Sequence, residues 1–184
     1  MAKLKNNFRL PRWEELPSIP LYLDQVLSLV DEWTGENLAE NKKILTKTMI
    51  NNYVKLKYVD APVNKKYSRA SIAKLFVIAV LKPVFTIEEI TDLMDLAINY
   101  RDSIGDAYNE FCGLVEDAVN CAFNNTTYER PKNPNDPRNI CWSACNAFAC
   151  QLYVKRIYLE QRDTFERVVS LRKSGIHLNV KDEE

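Results

Sequence analysis

Glycine and histidine are scarce in this chain: its 184 residues include four of the first and one of the second. No glycine-rich phosphate loop, dinucleotide fingerprint, G-x-S-x-G elbow or H-E-x-x-H zinc motif occurs, so the common routes to catalysis lack their residues. No long apolar run is present either. The longest, Leu75 to Leu81, falls far short of the roughly 20 residues that cross a bilayer. The N-terminal stretch MAKLKNNFRLPRWEELP has no apolar h-region and does not read as a secretory signal, which points to a cytoplasmic protein. Cysteine is present but oddly numbered: Cys112, Cys121, Cys141, Cys145 and Cys150 would leave one thiol over in any disulfide framework. No C-x-x-C occurs and the lone His177 is near the tail. These cysteines are therefore expected to be mainly buried, reduced thiols, and neither a metal nor a cofactor is expected.

Net charge is also missing, with 25 basic and 25 acidic residues, yet the balance hides a strong asymmetry. Between Lys42 and Lys74 nine basic residues face one acid, Asp60; between Thr86 and Asp117 nine acids face one base, Arg101. A pI near neutrality conceals local runs of this kind, which can be solvated helix faces or the footprint of a polyanion. Among the acids, Glu88, Glu89, Asp92 and Asp95 are read as helix-dipole compensation on a solvated face rather than as an acid/base pair.

What the chain does have is helical material. It is 46% hydrophobic and 10% aromatic, enough for a real core, and its Leu, Ile, Ala, Lys and Glu favour helix. Residues 1–17 read as an arm whose Phe8, Leu10, Trp13 and Leu16 pack on the core. A first helix is expected from Pro20, with Leu23, Val26, Leu27, Val30 and Trp33 on its buried face and Gly35 at its end. A second follows Thr46 to about Lys57, its apolar side Met49, Ile50, Tyr53, Val54 and Leu56. Tyr58-Val59 and Lys65-Lys66-Tyr67 suggest a small hairpin around Pro62. Ser68 opens a third helix that stops before Pro83. Thr86 and Glu89 form a capping box for a fourth. Two more are expected, over Ser103–Phe123 and from Asp136-Pro137 to about Leu171, the last roughly 50 Å long.

Helix, helix, hairpin, helix is the order of a winged helix-turn-helix. On the second helix Thr46, Lys47, Thr48, Asn51, Asn52 and Lys55 are candidates for base edges or phosphates, because asparagine pairs with adenine in a bidentate fashion and lysine neutralises phosphate. Lys65 and Lys66 are the wing candidates. Tyr53 and Tyr67 are read as packing residues that fix helix and wing.

The segments FRLPRWEELPSIPLYLDQVL and LTKTMINNYVKLKYVDAPVNKKYSRASIAKLFVIAVLKPVFTIEEI, with the helices after them, resemble the bacterial family called domain of unknown function 1836, from Phe8 to about Leu171. The middle segment also resembles a shortened MerR-type DNA-binding domain. Asn52-Tyr53, Lys57 to Pro62 and Lys66-Tyr67-Ser68 stand where that group has the end of its recognition helix, its turn, and the opening of the next helix. The wing lacks glycine, and no arginine precedes Tyr53. The resemblance implies an all-α fold with a small β-hairpin wing: an arm (1–19), a MerR-like winged helix-turn-helix (20–98) and a C-terminal helical bundle (99–184) for dimerisation or effector sensing. The function expected is a non-enzymatic transcriptional regulator that binds double-stranded DNA. It would be a homodimer through its C-terminal helices. Trp142, Phe148 and Tyr153 are read chiefly as core packing, with the lining of a pocket for an unknown small-molecule effector as the alternative. The alternative is a protein-interaction module on the same scaffold.

Overall fold

The computed structural model of the protein describes residues 8–34, 43–133, 135, 136 and 138–173. The fold is mainly helical, with six helices and one small antiparallel pair of strands among the described residues. In chain order these are β1 (Leu21–Tyr22), α1 (Leu23–Thr34), α2 (Lys47–Lys55), β2 (Lys66–Tyr67), α3 (Arg69–Leu81), α4 (Ile87–Asn99), α5 (Ile104–Asn124) and α6 (Arg138–Lys173). The expected ends at Gly35 and at Pro137, and the tail with His177, lie outside the described residues.

Helix starts follow side-chain caps. Thr46, Ser68, Thr86 and Ser103 each accept a hydrogen bond from the backbone N–H three residues on, and Glu89 completes the capping box by accepting from the N–H of Thr86 at 2.8 Å. This satisfies donors that a helix's first turn leaves orphaned.

Helix α3 is apolar on every side, and all its residues from Ser71 to Leu81 except Lys74 are buried. A helix of that kind is a central one, and α1, α4, α5 and α6 all pack on it. One hydrophobic cluster runs from Phe8 on the arm through Ile72, Phe76 and Ile78 to Phe148 and Leu152 on α6.

The arm packs as its apolar residues suggest, with Phe8, Leu10 and Leu16 buried and Trp13–Glu15 forming a single 3-10 turn. What anchors it is α5. Arg12 reaches Glu116 with two nitrogens, at 2.8 and 2.6 Å, the Leu10 N–H donates to the same carboxylate at 2.9 Å, and the Trp13 N–H donates to Asn109 Oδ1 at 2.7 Å. Gly105 makes the close approach possible, because a Cβ there would stand 3.0 Å from the Trp13 ring.

Two expectations about the hairpin need correction. Tyr58 and Val59 are not strand; their N–H groups both donate to the Tyr53 carbonyl and close off α2. The partner of β2 is β1, with Leu21 opposite Tyr67 and Tyr22 opposite Lys66. Helix α1 accordingly starts at Leu23 rather than at Pro20, since the two residues between them are pairing with the wing.

All five cysteines are free thiols, as expected, but they are less completely buried than expected. Cys112 and Cys145 are buried, Cys121 and Cys141 are half-buried, and Cys150 is exposed. Burial pushes the Cys112 thiol up to about 11. Among the described residues no helix is long and apolar enough to cross a membrane.

Candidate nucleic-acid interface

Helix α2 is short, and its two faces divide cleanly. At 3.6 residues per turn, Lys47, Thr48, Asn51, Asn52 and Lys55 fall within an arc of about 140°. All five are exposed, as is the cap residue Thr46. Ile50, on the opposite side, is fully buried, and Met49, Tyr53 and Val54 are half-buried beside it. Tyr53 and Tyr67 pack as expected, and burial raises the pKa of both phenols.

The helix ends in a Schellman arrangement. The Lys57 N–H donates to the Val54 carbonyl at 3.0 Å and the Tyr58 N–H to the Tyr53 carbonyl at 2.9 Å. This geometry needs a left-handed residue at the position Lys57 occupies, and Lys57 has φ 65°. Tyr58 then donates its hydroxyl to Glu88 at 2.8 Å, and Asp60 pairs with Lys74 at 3.1 Å. Those contacts fix the exit of α2 against α4 and α3.

The wing is a two-residue hairpin. Val63 and Lys66 exchange both backbone hydrogen bonds, at 3.0 and 2.9 Å, around Asn64 (φ 49°) and Lys65 (φ 64°). Two consecutive left-handed residues are what a type I′ turn requires. Lys65 at the tip is exposed, whereas Lys66 is half-buried with its Nζ 4.9 Å from the centre of the Tyr22 ring.

Lys47 is partly neutralised by Asp24 on α1 at 2.6 Å. That ion pair is well exposed and so contributes little to stability. The side chains of Thr48, Asn51, Asn52, Lys55, Lys57 and Lys65 have no hydrogen bond, ion pair or ring contact among the described residues. They are available to an outside ligand. Lys57, which an over-long helix had hidden, joins the candidates, and Tyr22 joins them as the platform under Lys66. Only the run of basic residues hinted at the first, and nothing near β1 signalled the second.

Trp142, Phe148 and Tyr153 sit in packing contacts, the role chiefly read for them from the sequence. Phe148 is fully buried, 5.9 Å from the Phe8 ring. Trp142 stacks on Tyr128 at 4.6 Å and donates to the Glu129 carbonyl, and Tyr153 meets Phe123 edge-on. All three are occupied in packing. Among the described residues no group of three or more His, Cys, Asp or Glu is placed to hold a metal ion.

The molecule is thus a mainly helical protein with a small strand pair and one exposed, polar, lysine-bearing helix face. Residues 11–111 match the family described as Domain of unknown function (DUF1836), which is just over half of the chain, and the protein belongs to that family. Neither the curated proteins nor the solved structures give a match. The family match reaches from the arm into α5 and stops short of α6.

Proposed function

We propose that the protein is a cytoplasmic DNA-binding transcriptional regulator of MerR-like winged helix-turn-helix type, with α2 as the recognition helix and the Val63–Lys66 turn as the wing. The observation that carries this reading is the partition of α2: Thr48, Asn51, Asn52 and Lys55 share one exposed arc and have no side-chain partner among the described residues, while Lys47 beside them is paired with Asp24. Asn51 and Asn52 suit adenine edges, and Thr48 suits the thymine methyl. Lys47, Lys55, Lys57, Lys65 and Lys66 suit phosphates, which position a protein without reading sequence.

Binding of double-stranded DNA should weaken steeply as salt rises. Lys65→Ala with Lys66→Ala should weaken it for every sequence and flatten the salt dependence by about two phosphate contacts. Mobility-shift titrations against genomic fragments at several salt concentrations measure both. Absence of binding at low salt would sink the proposal.

The second reading, a protein-interaction module on the same scaffold, draws on a different feature. Helix α6 exposes Val154, Tyr158, Leu159, Phe165 and Val169, an apolar surface that water does not favour. Within the regulator reading that surface is where a second copy pairs, in keeping with two-fold DNA sites. Within the alternative it docks another protein, and the lysine changes have no effect.

A further inference from the structure

A cavity of about 70 Å³ lies between α3, α4, α5 and α6, away from the face of α2. Its walls are Val77 and Leu81 from α3, Leu93 and Ala97 from α4, Phe111 from α5 and Cys145 from α6. An unfilled apolar space forfeits dispersion contacts on every side that lines it, and an apolar cavity of this order stays dry until an apolar guest enters. The space is far too small for a helix, one turn of which, about 10 Å across and 5.4 Å long, fills roughly 400 Å³, so a helical protein segment is not its occupant. A slim chain is.

The mouth is of different chemistry. Lys74, Arg101 and Arg138 border the cavity, and each is already paired with a carboxylate, Asp60, Glu110 and Asp136 in turn. Arg101 donates to Glu110 and, at 2.7 Å, to the Tyr100 carbonyl. Arg138 is held by Asp136 through Nε at 2.9 and 3.0 Å and through Nη2. The two guanidiniums share one neighbourhood: Asp136 is held down at about 2 chiefly by its hydrogen bonds from Arg138 and, further down, by the charge of Arg101. A guanidinium has five N–H donors, so both arginines keep donors to spare after these bonds, and each is already oriented by a carboxylate.

We propose that this cavity is a binding site for a small unbranched amphiphile, an alkyl chain ending in a carboxylate. The chain fills the slot between the four helices, and the carboxylate accepts hydrogen bonds from Arg101 and Arg138 at the mouth. Because residues of α3, α4, α5 and α6 all line the cavity, occupancy ties the helices that follow the hairpin to the C-terminal pair. The site stands on its own geometry and does not depend on the DNA-binding reading.

Pentanoate, titrated into the full chain by calorimetry, is the probe, because its four-carbon tail is of the size the cavity holds. A saturable one-to-one heat is expected, with propanoate binding about tenfold more weakly for its two lost methylenes. Pentanol, which keeps the chain and drops the charge, should also be about tenfold weaker. Ala97→Phe fills the slot and should abolish binding; Arg101→Gln and Arg138→Gln should each weaken it about tenfold. The two arginine changes lie at the mouth and keep the test open should the filled-slot variant not fold. Lys65→Ala with Lys66→Ala should leave pentanoate binding unchanged, which separates this result from the fate of the DNA-binding reading. No saturable heat, unchanged binding in a folded Ala97→Phe variant, or pentanol equal to pentanoate would each overturn the proposal.

Discussion

Lys57 and Lys65 both sit in the left-handed region of backbone space, where a side chain with a Cβ costs about 1 kcal/mol or more relative to glycine. At Lys57 a Schellman cap usually has glycine. At Lys65, second in a type I′ turn after Asn64, Asn-Gly is the preferred pair. Two departures from local preference, both toward lysine and both on the candidate interface, fit the tendency of proteins to give up local stability where function needs a particular group. Lys65→Gly should therefore raise stability by up to about 1 kcal/mol while weakening DNA binding and lowering the salt slope by about one. Thermal unfolding and a salt titration read the two effects separately, and a variant that gains stability with its DNA affinity intact removes Lys65 from the interface. The outward face of α2 was legible in the sequence because Ile50 and Tyr53 alternate with Thr48, Asn51 and Asn52 at helical spacing. The left-handed lysines were not, since nothing in the residue type marks a position that glycine would normally fill.

The caps made most helices legible. Thr46, Ser68, Ser103 and the Thr86–Glu89 box act within three residues, so their effect is written locally. Contacts that close long loops are not written that way. The wing strand chose Leu21–Tyr22, about 45 residues earlier by the register of its pairs, and not the better strand formers Tyr58 and Val59, whose N–H groups α2 had claimed. The arm follows the same rule. Its apolar residues announced that it packs, but its anchor, Glu116, is 104 residues from Arg12. That carboxylate is largely buried, and it accepts from both Arg12 and the Leu10 N–H. The same bonds raise the pKa of the Arg12 guanidinium, which stays charged at any ordinary pH. Arg12→Ala would leave a mostly buried carboxylate without its counter-ion and should cost about 2 to 4 kcal/mol. Denaturant unfolding measures that loss. A cost under about 0.5 kcal/mol, the size of an ordinary surface substitution, would mean that the arm is held by Phe8, Leu10 and Leu16 alone.

At the scale of the whole molecule, α6 is longer than the body that supports it. Leu152 is its last buried residue among the described side chains, and from Tyr153 to Lys173 the helix runs on for about 32 Å. A helix of that length with little tertiary packing is marginal in water, and this one exposes Val154, Tyr158, Phe165 and Val169. Their spacing of four, seven and four places them along one side of the helix, close to the seam that two parallel or antiparallel copies would share. A second copy laid along the seam would cover those side chains and relate the two α2 helices by a common axis of symmetry. Tyr158→Glu with Phe165→Glu puts like charges into that seam without touching the core around α3. The unmodified chain should sediment as a dimer and the double variant as a folded monomer, with unchanged helix content by circular dichroism. In the regulator reading the monomer should also bind a two-fold DNA site more weakly than a single half-site predicts for the dimer, because avidity from linked sites is lost. An unmodified chain that stays monomeric at high micromolar concentration would leave the α6 surface to a different partner, and with it the protein-interaction reading.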